Sequence, residues 1–227
     1  MQPILEQFRK ILITAAFFTY AVTAFSQPKQ KTVAVKAHVP VKGAPVTPVI
    51  SKQLKNFIDL TNKADITVSF PAGFRETKIK SEDFLFDYAI ETPDRECELW
   101  FQVKSLKKDW ENYELVKNDP RKQTANPDST YTTMGSAQAF TLAGDKNFTP
   151  RNISPEVLTR FNANSGRSYL LNLPDLPETR HYKYALVLAI QKDHTGTIVI
   201  ACFTNEKDPE FYKNVNRISR YLKFKVG

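Results

Sequence analysis

Two runs near the C-terminus, "YALVLAIQ" at 184–191 and "TIVIACFT" at 197–204, constrain this chain more than any other feature. In the first, Leu186, Leu188 and Ile190 follow Tyr182 and Tyr184 on one face, while Ala185, Val187 and Ala189 form the other. A strand that is apolar on both faces must be covered on both faces, unlike the half-solvated strand of a simple meander. The small side chains of the second face call for a helix lying close to it. The second run is apolar on both faces too, and "KDHTG" between them is a short polar turn. The pair reads as the central hairpin of a sandwich.

The rest of the chain supplies the other layers. "SKQLKNFIDLTN" places Leu54, Phe57 and Ile58 at helical spacing after Ser51, a candidate N-cap. Three period-two runs follow: "DITVSF", "EDFLFDYAI" with Phe84, Phe86, Tyr88 and Ile90 in phase, and "CELWFQV" with Cys97, Leu99, Phe101 and Val103 in phase. "KDWENYELVKND" reads as a short helix after Asp109. Asn126 with Pro127, and Ser154 with Pro155, mark two further helix starts. "RSYLLNL" is strand-like, and "PDLPET" is a proline-rich turn before a strand that begins at His181. At the C-terminus Asp208 caps a helix opened by Pro209, with Phe211, Val215, Ile218 and Leu222 as its apolar stripe. The expected class is α+β: an antiparallel sheet of about six strands flanked by helices on both faces.

"SFPAGF" at 69–74 runs a strand into a Phe-Pro-x-Gly-Phe segment near the start of this layout. With the late hairpin and the final amphipathic helix it resembles the Mog1/PsbP-like α/β/α sandwich over most of residues 64–225. The resemblance implies that fold and an accessory or partner-binding role rather than catalysis. The chain departs from it in a long insert around residues 105–155, and no functional residue carries over.

The N-terminal part has a different character. Arg9 and Lys10 precede "ILITAAFFTYAVTAF", which carries no charge, and Ala24 and Ser26 stand at the spacing a signal peptidase reads. The expectation is an exported protein cleaved after Ser26, with residues 1–26 as signal peptide. The alternative, an uncleaved anchor, needs roughly 20 apolar residues. Residues 27–50 hold four prolines, four lysines and no acid, as an extended tether does. Residues 51–227 then form a single domain. The formal charge of +8 divides as +1 on the signal segment, +4 on the tether and +3 on the domain. The excess therefore does not mark a nucleic-acid-binding face. The tether offers at most peripheral contact with a membrane. The localisation expected is periplasmic or extracellular.

Little in the domain resembles chemistry. Ser165, Asp175, Glu178 and His181 lie close in sequence, but Ser165 precedes a strand where a nucleophile elbow would follow one. Glu96, Glu98 and Trp100 share one strand face, a pairing of carboxylates and indole that sugar hydrolases use, but here the simpler reading is an exposed strand end. His38, His181 and His194 have no zinc spacing, and no glycine-rich phosphate loop occurs, so neither metal nor cofactor is expected. Cys97 and Cys202 lie in two strand-like runs, and in an oxidising compartment they stand either as a disulfide or as two buried thiols. The expected function is binding an unknown envelope protein or small ligand, with a secreted glycosidase-like or serine-type hydrolase as the alternative. Candidate binding residues are Trp100, Trp110, Arg167, His181 and Tyr182. They would frame a groove between the central hairpin and residues 105–150 of the insert, with Arg167 and His181 at its rim.

Overall fold

The two late runs form strands Tyr184–Lys192 and Gly196–Thr204, paired antiparallel from Tyr184↔Thr204 to Lys192↔Gly196. The computed structural model describes residues 50–93 and 97–226. The expected signal peptide and, apart from Ile50, the tether lie outside the described residues. Residues 48–227 form one compact unit.

In chain order the elements are helix α1 (Lys52–Lys63), strands β1 (Ile66–Val68), β2 (Arg75–Glu76), β3 (Tyr88–Glu91) and β4 (Glu98–Ser105), and helix α2 (Lys107–Val116). A 3₁₀ turn (Pro127–Ser129), helix α3 (Thr130–Ala143), strand β5 (Arg151–Asn152), helix α4 (Pro155–Arg160) and strand β6 (Ser165–Asn172) follow. After a second 3₁₀ turn (Pro177–Thr179) come β7 and β8, the two late strands, then helix α5 (Pro209–Arg217), a third 3₁₀ turn (Ile218–Arg220) and β9 (Leu222–Phe224). The main sheet has seven strands in the order β2-β3-β4-β8-β7-β6-β5, every pair antiparallel.

All nine residues of β8 are buried, as the sequence pattern requires. One face of the sheet packs Leu99, Phe101, Leu188, Ile190, Ile198 and Ile200 against Phe57 of α1, Leu158 of α4 and Phe211 of α5. Phe57 stacks on Tyr88 with ring centroids 4.8 Å apart. The other face packs Trp100, Ala185, Val187, Ala189, Val199 and Phe203 against Ala139 and Leu142 of α3. Helices therefore cover both faces, and α3 lies on the small side of β7. A Cβ built on Gly135 would sit 2.5 Å from the Ala189 Cβ and 2.9 Å from Tyr169 Cε2, so the helix approaches the sheet at a distance that only glycine permits here. The 105–155 insert thus supplies the second layer of the sandwich.

Several expectations change. Ile66–Val68 leaves the main sheet and pairs with β9 as a separate two-stranded ribbon, Ile66↔Phe224 to Val68↔Leu222. The last helix correspondingly stops at Arg217, and Leu222 belongs to a strand whose Leu-Lys-Phe alternation suits a half-buried ribbon. Phe84 and Phe86 pack on the α3 face, whereas Tyr88 and Ile90 pack on the α1 face. The chain bends at 84–86, where Phe86 N–H donates to the Phe84 carbonyl at 2.8 Å, and it joins the sheet only at Tyr88. His181 is a turn residue with φ 61°, so β7 begins at Tyr184 and Tyr182 packs on the face opposite Leu186. Ser165 and Gly166 already belong to β6.

Replacing Gly135 by Ala overpacks the α3 layer. Despite the better helix propensity of alanine, Gly135→Ala lowers unfolding stability by about 1–3 kcal/mol. Urea denaturation checks this, with the midpoint falling at an unchanged slope.

Candidate functional site

β6 spans the stretch that drew attention in the sequence, and it separates the groups there. Ser165 opens the strand and His181 lies beyond its far end, roughly 23 Å along an eight-residue strand. His181 Nδ1 is 2.6 Å from Asp175 Oδ1, but both side chains are exposed and Ser165 is not within their reach. Arg167 sits at the Ser165 end, where it faces the phenol of Tyr169. Arg167 and His181 therefore do not share a rim. The space expected between the hairpin and the insert is occupied by α3 and its contacts with Tyr169 and Ala189.

The far end of β6 and β7 holds a buried charge that the sequence reading placed at the surface. Glu98 is 1% exposed, and so is Trp100. Both project onto the α3 face because they alternate with Leu99 and Phe101, which are committed to the other core. Glu98 Oε1 accepts hydrogen bonds from Trp100 Nε1 at 2.8 Å and Thr77 Oγ1 at 3.0 Å. Its Oε2 has no hydrogen bond and faces Arg180 Nη1 at 3.3 Å. Arg180 and His181 are consecutive residues in the left-handed region, φ 53° and 61°, a conformation that costs roughly 1–3 kcal/mol at each non-glycine position. The Glu98–Arg180 pair holds this turn against the sheet end. Tyr182 follows and rests on Phe203, ring centroids 5.7 Å apart. Burial, and then the Glu98 carboxylate, push the Tyr182 phenol up to about 12. Trp100, Tyr182 and the turn bearing His181 thus come together at one end of the sheet. Glu96 lies outside the described residues.

Trp110 belongs elsewhere. Asp128 Oδ1 accepts from Trp110 Nε1, Gln191 Nε2 and the His194 backbone N–H, each at 2.9 Å. The Trp110 and His194 rings lie 3.9 Å apart. One carboxylate thereby ties α2 and the Pro127 turn to the tip of the β7–β8 hairpin. Cys97, just before β4, and Cys202 of the adjacent β8 lie in the same core, both as buried thiols. The register pairs Cys202 with Leu99, two residues beyond Cys97, which sets the sulfurs diagonally. Burial raises the Cys202 thiol, with the neighbouring Cys97 adding to it. Among the described residues no group of three or more His, Cys, Asp or Glu is arranged to hold a metal ion.

Tyr182 lines a pocket of about 380 Å³ with Thr204, Asn205 and Asp208, and a further opening is on the opposite face from the one expected. Between α4 and α5 the sheet is incompletely covered, leaving a groove of about 270 Å³. Leu186 and Leu188 form its floor, Val157 and Phe161 one wall, and Tyr212 and Val215 the other. Ser168, Asn152 and Asn216 add neutral hydrogen-bonding groups, and Arg160 is the one charged residue in the lining. The groove arises because α4 is a helix of six residues and α5 ends at Arg217, so neither reaches across Leu186. Its sequence signal was the large apolar face of "YALVLAIQ", which has more apolar surface than the two short helices cover.

Two outcomes test the Glu98 end. Glu98→Gln leaves Arg180 without its counter-charge and lowers stability by about 3 kcal/mol, the low end for a broken buried pair because Arg180 is one-third exposed. Chemical denaturation of the variant measures it. An unfolded tyrosine ionises near pH 10, below the folded value for Tyr182. The unfolded chain therefore loses this proton first, and stability falls as the pH rises from about 10 to 12. Tyr182→Phe makes that fall shallower in denaturation curves recorded across the range.

No family model and no curated protein matches this chain. A search of solved structures finds a similarity to cyanobacterial PsbP (CyanoP) from Synechocystis sp. PCC 6803, determined in solution. It covers 72% of this chain and 88% of that one, at 10% identity and a TM-score of 0.38.

Proposed function

We propose that this chain is an exported, non-enzymatic binding or accessory protein of the cell envelope, and that the groove between α4 and α5 is where it binds. The groove is the observation that carries the reading. Its apolar floor and walls with a few neutral polar groups are the composition of a recognition site. Export rests on the sequence of residues 1–26, with a basic start, an apolar run and small residues before Gln27. Among the described residues no helix is long and apolar enough to cross a membrane. The hydrolase alternative has one observation in its favour, the His181–Asp175 pair, but its serine stands at the other end of the strand.

A photo-crosslinking side chain in place of Tyr212 tests the reading in envelope preparations of cells expressing the full chain. The expected result is one discrete adduct, lost when Leu186→Lys is added to the same chain. A crosslinked pattern unchanged by Leu186→Lys overturns the groove as the binding site. Ser165→Ala and Glu98→Gln leave adduct formation intact at temperatures where both variants remain folded.

A further inference from the structure

The groove opens onto a sheet edge that is only partly paired. β5 matches β6 at two positions alone, Arg151↔Ser168 and Asn152↔Arg167, whereas β6 pairs with β7 over its whole length to Asn172↔Tyr184. The direction of the remaining backbone groups follows from the bonds at either end. Ile153 N–H donates to the Gly166 carbonyl on the outer side, and Leu173 N–H donates to the Lys183 carbonyl on the β7 side. In an antiparallel ladder these directions alternate, so Gly166, Ser168, Leu170 and Asn172 all turn their N–H and C=O groups outward. β5 serves the first two. The next pairing position falls at Thr149, and β5 has ended at Arg151 before it is reached. There the chain leaves the sheet and places Phe148 against Tyr169 on the α3 face, ring centroids 5.7 Å apart. Among the described residues no backbone bond is made to the outward groups of Leu170 or Asn172.

The side chain nearest the groove at this open edge is apolar. Leu170 is 42% exposed, and it lies opposite Leu186, on the face that forms the groove floor. A large exposed leucine over unpaired strand backbone is what native sheets ordinarily block with charge, proline or a covering element. Arg151 and Lys183 flank the opening, neither forming an ion pair among the described residues, and the groove lining contains no carboxylate. A partner for this edge needs an extended backbone, an apolar residue to cover Leu170 and Leu186, and acidic rather than basic flanks.

We propose that the outer edge of β6 beyond Ser168 takes up an extended, apolar, acid-flanked segment of a partner protein as an additional strand, with alternate side chains entering the α4–α5 groove. This deepens the binding reading above and rests on it. Backbone pairing sets the direction and register of the segment. The groove selects the side chains that face it.

The test uses the chain without residues 1–26 and a fluorescent alternating valine–threonine heptapeptide with a glutamate at either end. Anisotropy is expected to show saturable binding. Leu170→Pro, which removes one outward N–H at a solvent-facing edge, weakens it about tenfold, the effect of one or two lost hydrogen bonds. The same peptide N-methylated at alternate residues loses binding to the unaltered protein to a similar degree, a readout that stands even where Leu170→Pro fails to fold. Equal binding of the methylated and unmethylated peptides overturns strand addition while leaving the groove as a side-chain site. Absence of saturable binding by the unmodified peptide, alongside a groove-dependent adduct at position 212, overturns it too and leaves the binding reading standing. Loss of that adduct's groove dependence removes the reading on which the proposal rests.

Discussion

The burial of β8 on both faces is the constraint from which the architecture follows. Nine consecutive residues, Gly196–Thr204, are shielded from solvent, so no arrangement with one solvated sheet face accommodates them. Two separate cores form, one under α1, α4, α5 and the β1–β9 ribbon, the other under α3. The two faces of β7 differ in size, and the covering layers differ to match. Large residues on one side meet several elements at ordinary distances. Alanines and valine on the other admit one close helix, whose approach depends on Gly135.

The polar groups that looked like chemistry are arranged around the ends of this slab. Asp128 gathers donors from α2, β7 and the hairpin tip at one end. Glu98 does the corresponding work at the other, with Trp100 and Thr77 on one oxygen and Arg180 facing the second. Each carboxylate accepts from groups far apart in sequence and so fixes a loop against the sheet. A buried ionic group of this kind adds little net stability over an apolar replacement but penalises any conformation that separates its partners.

Much of this layout was legible in the sequence because strand and helix periods differ and the caps are explicit. The both-sided apolar pattern of β7 and β8, the small face of β7 and the starts at Ser51, Asn126 and Asp208 all carry over into the structure. What was not legible depended on registers and partners. Periodicity places Phe84 in phase with Tyr88, and only the bend at 84–86 separates them. It places Leu222 on the helical stripe, because the spacing cannot reveal that β1 waits for a partner. Glu98 was misplaced for a related reason: a charged residue in an alternating run reads as solvent-facing unless its counter-ion is known, and Arg180 is supplied from a turn 82 positions later. The groove followed from a mismatch of lengths between a long apolar strand and two short helices, which no local pattern encodes.

The β1–β9 ribbon joins residue 66 to residue 224, across most of the folded chain. Contacts of such wide sequence separation close the largest loop available and form late. A nascent polypeptide consequently leaves Ile66 and its neighbours without their pairing strand until Leu222–Phe224 emerge from the ribosome. For that interval the α1 side stays incompletely assembled, so synthesis of the 222–224 strand, rather than any earlier milestone of translation, gates closure of that core.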